Sequence, residues 1–98
     1  MKNKIILDFP LNQFGLADNK KGRQIYEEQV KDKLNINDME NGEGVEIVFP
    51  DQVSLIASSF VQGFSNELIS KYGIAGFKEL VKITASSEKI SKDFYEDL

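Results

Sequence analysis

The chain has 98 residues, about the size of one ordinary domain, and 41% of them are hydrophobic against 29% charged, which excludes a fibrous or disordered composition. It contains neither cysteine nor histidine, so disulfides, thiolate nucleophiles, the usual neutral-pH proton shuttle and the commonest transition-metal ligands are all missing. A formal net charge of −4 argues against nucleic acid and anionic membrane surfaces as partners.

Residues 4–9 read as a strand, with Ile5, Leu7 and Phe9 on one side and Ile6 and Asp8 on the other, ended by Pro10. The apolar run within residues 1–9 is too short for a secretory core or a membrane span, and with no cysteine the expectation is a cytoplasmic protein. The segment NQFGLADN mixes Phe14 and Leu16 with turn formers and reads as either a short strand or a loop. Asp18 or Asn19 then caps a helix running to about Leu34, in which Tyr26, Val30 and Leu34 recur at i, i+4 and i+8 beside Ile25. Glu27 and Lys31 are ordered for an i, i+4 ion pair, and Gly22 falls in the first turn, where glycine costs least.

NINDMENGEG reads as the clearest loop, followed by the strand VEIVF over residues 45–49, whose partly apolar second face suits an inner strand covered mainly on one side. After the link QVSLIA, Ser58 and Ser59 open an amphipathic helix reaching about Tyr72, with Phe60, Phe64 and Leu68 as its stripe and Val61 and Ile69 beside it. Ser59 and Gln62 have capping-box spacing, and Gly73 suits the position just past the helix end. A connecting turn leads to a strand over residues 80–85, and Ser86 or Ser87 caps a last helix carrying Ile90, Phe94 and Leu98. This alternation predicts one α/β domain spanning residues 1–98, with a mostly parallel sheet of three to five strands and helices packed largely on one face.

The carboxylates are scattered without calcium-loop spacing, so no metal site and no cofactor is expected. Ser58 and Ser59 lack a histidine base, which argues against a serine enzyme. The glycines of DNKKGR and ENGEGV lack the strand-to-helix phosphate-loop arrangement. Lys20, Lys21 and Arg23 could meet an acidic partner, although a solvated turn explains them more simply. In IASSF, two hydroxyls sit where free backbone N–H groups and the helix dipole favour negative charge. A phosphate on Ser58 would be stabilised there, and the plainer reading is that both serines only cap the helix.

The run VEIVFPDQVSLIASSFVQGFSNELISKYG, residues 45–73, resembles the centre of a bacterial STAS-like domain family of unknown function. KKGRQIYEEQ resembles that family's basic helix start, and KITAS falls where its next strand should be. The resemblance implies a STAS-like fold and a regulatory role in signalling through protein–protein contact, made by Ala57, Ser58, Ser59 and Gln62 at the helix start. It also implies distant similarity to anti-sigma factor antagonists, in which a histidine-kinase-like ATPase phosphorylates a serine that aligns with Ser58. In those relatives an aspartate precedes the serine pair and a glycine follows it, whereas this chain has Ala57 and Phe60. The alternative function is a sensor whose pocket near the same helix start takes a small anionic ligand or nucleotide.

Overall fold

The computed structural model describes residues 3–98. Strand β1 (Asn3–Ile6) leads to a two-residue strand β2 (Gly15–Leu16), a helix α1 (Asn19–Ile25), a short helix α2 (Ile36–Glu40) and strand β3 (Val45–Val48). A second two-residue strand β4 (Leu55–Ile56), the long helix α3 (Ser58–Leu80), strand β5 (Val81–Thr84) and helix α4 (Glu88–Glu96) complete the chain. The main sheet has the order β1-β3-β5 and is parallel throughout, with Ile5, Ile47 and Ile83 in one row. A separate parallel pair joins β2 to β4. Parallel neighbours need crossovers, and α1 and α3 lie in those crossovers.

Alternation along the strands sorts the two faces. Ile5, Leu7, Phe9, Val45, Ile47, Phe49, Val81 and Ile83 are buried, whereas Lys4, Ile6 and Lys82 are exposed. The buried face gathers around Phe49, whose ring lies 5.6 to 6.3 Å from those of Phe60, Phe64 and Phe94. Tyr26 meets Phe64 edge-on at 6.1 Å. Residues from α3, α4 and the first helix therefore share one side of the sheet, as its alternation predicts, and the stripe Phe60, Phe64 and Leu68 is buried.

Four local expectations are corrected. The loop NINDMENGEG contains α2, capped by the Asn35 side chain, which accepts from the Asp38 N–H at 3.1 Å. Buried Met39 anchors that turn. The first helix is not α-helical throughout: Tyr26–Val30 forms a π turn, in which the Lys31 N–H donates to the Tyr26 carbonyl, and Lys31–Lys33 is a 3-10 turn. Lys31 then pairs with Glu67 of α3 at 3.2 Å instead of following the spacing to Glu27. Gly73 does end a helix, at φ 77° and ψ 171°, a conformation open almost only to glycine, but helix resumes over residues 74–80 where a turn is expected. Phe77 drives that resumption by stacking on Phe94 at 6.3 Å.

Candidate functional site

The predicted contact surface lies at the start of α3. Its N-cap is Ala57, extended at φ −74° and ψ 152°, with its N–H donated to the Leu16 carbonyl at 2.8 Å. Ser58 is the first helical residue and is exposed, while Ser59 is half-buried. The capping box is not formed, because no side chain caps this helix. The Ser59 hydroxyl instead accepts the Asp18 N–H at 3.0 Å, and Gln62 is exposed. Among the described residues, no side chain caps the first turn of α3, and of that turn Ser58 is the exposed residue while Phe60 is buried.

Asp18 ties the two helix starts together. Its backbone takes φ 81°, uncommon for a residue with a side chain, and its carboxylate accepts the Lys20 N–H at 3.2 Å to cap α1. The candidate basic residues follow at once: Lys20 and Arg23 are exposed, Lys21 is half-buried, and the Arg23 guanidinium donates to Asn19 Oδ1 at 2.9 Å. The fold therefore sets DNKKGR beside the α3 start, a neighbourhood that chain order does not reveal.

Close helix contact fixes this arrangement. A β-carbon on Gly22 would collide with the Phe60 carbonyl oxygen and stand 2.8 Å from the Phe64 nitrogen. One on Gly63 would collide with the Asn19 carbonyl, standing 2.8 Å from its carbon. The two glycines let α1 and α3 touch backbone to backbone.

Sequence reasoning missed the apolar part of this surface. The Phe14 carbonyl accepts from the Ser54 N–H at 2.8 Å and the Leu55 N–H at 3.2 Å, pinning β2 to β4. Ile56 turns inward, so its neighbour Leu55, three residues ahead of Ser58, is left 65% exposed; Phe14, just ahead of β2, is 61% exposed. Period-two spacing would have put Phe14 on the buried side with Leu16, so the sequence held no signal for its exposure. Beside Leu55 lies a hollow of about 300 Å³ lined by Ile56, Ile90 and the Lys89–Asp93 ion pair.

Another hollow, of about 440 Å³, lies where β5 meets α4. Its hydroxyls are already engaged: Thr84 donates to Glu46 at 2.6 Å, Ser86 donates to the Val53 carbonyl, Ser87 accepts the Ile90 N–H and Ser91 accepts the Ala85 N–H. The Thr84 bond, aided by the nearby ammonium groups of Lys4 and Lys82, holds the Glu46 carboxyl below its ordinary value. Among the described residues, no three metal-ligating side chains cluster, and no helix is long and apolar enough to cross a membrane.

No family model, curated protein or solved structure matches this chain.

Proposed function

We propose that this domain is a STAS-like, non-enzymatic regulatory module that binds a protein partner through the α3 start and the β2–β4 pair. The observation that carries the reading is the exposure of Phe14 and Leu55, two large apolar side chains held on hydrogen-bonded backbone beside exposed Ser58. Rigid apolar anchors of this kind suit a protein interface better than a site for a small anion. The partner class is a histidine-kinase-like ATPase, on the strength of the sequence resemblance. Ser58 is the candidate phosphoacceptor, since a phosphate there would face the uncapped N–H groups of α3 while buried Phe60 stays in the core. A phosphorylation-independent binding module is the alternative form of the same reading.

The test is to incubate the protein with ATP and the histidine-kinase-like ATPase encoded beside it or co-purifying with it. Phosphate is mapped by mass spectrometry, and affinity is measured for wild type, Phe14→Asp, Leu55→Asp, Ser58→Ala and Ser58→Asp. Loss of binding in Phe14→Asp and Leu55→Asp with unchanged thermal midpoints is expected. Equal affinities for all five proteins overturn the contact surface, and an unmodified Ser58 with an unaltered Ser58→Asp affinity removes the switch.

A further inference from the structure

A different arrangement lies along α3, about 14 Å beyond Ser58 at the helical rise of 1.5 Å per residue. A hollow of about 310 Å³ opens between the end of the first helix and α3, lined by Tyr26, Lys31, Leu34, Glu67, Leu68 and Lys71. Asp32 and Ile36 complete its rim, and Ile36 is 41% exposed. The lining therefore holds two cations, two anions and three aliphatic side chains. Lys31 and Glu67 pair at 3.2 Å, each side chain still about half exposed and open to a further partner (51% and 49%).

The π turn at Tyr26–Val30 immediately precedes Lys31, Asp32, Leu34 and Ile36 of this lining. One extra residue in a turn swings the residues that follow by about 100° around the helix axis, and such turns recur at functional sites. Burial, reinforced by the adjacent Glu67 carboxylate, holds the Tyr26 hydroxyl far above its ordinary value, so it remains an O–H donor. The neighbouring Tyr72 hydroxyl is buried and has no hydrogen-bond partner among the described residues.

We propose that this hollow binds a free α-amino acid with an aliphatic side chain. The ligand carboxylate meets Lys71 and Lys31, its ammonium meets Glu67 and Asp32, and its side chain covers Leu34, Ile36 and Leu68. Lys31 and Glu67 already answer each other, which leaves one cation, Lys71, and one anion, Asp32, outside that ion pair, so a dipolar ligand matches the lining where a singly charged one matches only one of the two. The volume lies at the lower end of the range for small-molecule sites, in keeping with a ligand of this size. The site does not depend on the partner surface at the α3 start.

The test is an amide-resolved NMR titration of the intact protein with L-leucine, isocaproate, which lacks the ammonium, and isoamylamine, which lacks the carboxylate. Saturable shifts at residues 31–36 and 67–71 are expected with leucine, with each half-ligand about ten-fold weaker for want of one charge-assisted contact. Lys71→Gln and Glu67→Gln, both at exposed positions, should keep the native spectrum and weaken leucine binding. The proposal is overturned if leucine gives no saturable shift in this region, if the half-ligands match it, or if both natively folded variants bind leucine like wild type.

Discussion

Gly22 and Gly63 stand on facing helices, and each occupies the one spot where the other helix's backbone comes too close for a side chain. The obstacle on either side is main chain, to Phe60 and Phe64 in one direction and to Asn19 in the other, so no rotamer change can relieve a clash. Gly22→Ala and Gly63→Ala should each destabilise the domain by about 1–3 kcal/mol despite alanine's better helix propensity. Urea denaturation checks this, and a gain in stability at either position would mean that the helices stand further apart.

Tyr95 seals the outer edge of β5. Its hydroxyl accepts the Ile83 N–H at 2.8 Å and donates to the Val81 carbonyl at 2.7 Å, giving the strand the two bonds that a neighbouring strand would supply. Tyr95→Phe leaves both backbone groups without that partner and should cost about 1–3 kcal/mol. Hydrogen exchange at the Ile83 amide should quicken relative to Ile47 in the central strand.

Ser59→Ala should cost about 1 kcal/mol by stranding the Asp18 N–H, while Gln62→Ala should lie within about 0.5 kcal/mol of wild type. Chemical denaturation of the two variants distinguishes this tertiary bond from a capping box, which would make both residues matter.

Glu46 gives the acid limb of stability a definite sign. Its folded-state carboxyl is held below the ordinary 4.5, first by the Thr84 hydroxyl and then by Lys4 and Lys82. The stability it contributes is fully present above that ordinary value and is lost as pH falls through the lower folded-state value. Glu46→Gln and Thr84→Val should both flatten the decline between neutral and acid pH, as measured by thermal midpoints across that range.

The buried stripe of α3 and the inward residues of β1, β3 and β5 were legible because their periodicity is local and strong. Met39 was not, since a single helical turn among asparagine and glycine carries no period of its own. Phe77 was passed over because Gly73 reads as a terminus, and only its stacking on Phe94 shows why helix begins again. Gly22 and Gly63 are close in space but far apart in sequence, and their spacing along the chain says nothing of a shared contact. At the candidate site, the serines were found by their helix-start setting. The bond that occupies Ser59 comes from Asp18, a residue on another element, and the exposure of Leu55 follows from β4 pairing with β2, which turns Ile56 inward.

The direct passage from residues 74–80 into β5 has a consequence for chain length. Phe77 fixes that helix against Phe94, its carbonyl accepts the Val81 N–H, and the strand starts with no spacer between them. One residue inserted there would put Val81 where Lys82 belongs and send the whole strand's side chains to the wrong faces. One residue inserted at exposed positions 41–43 would be absorbed by the open turn around Gly42. The segment between Gly73 and Val81 is therefore a fixed-length gauge, where a deletion or insertion does more harm than most substitutions.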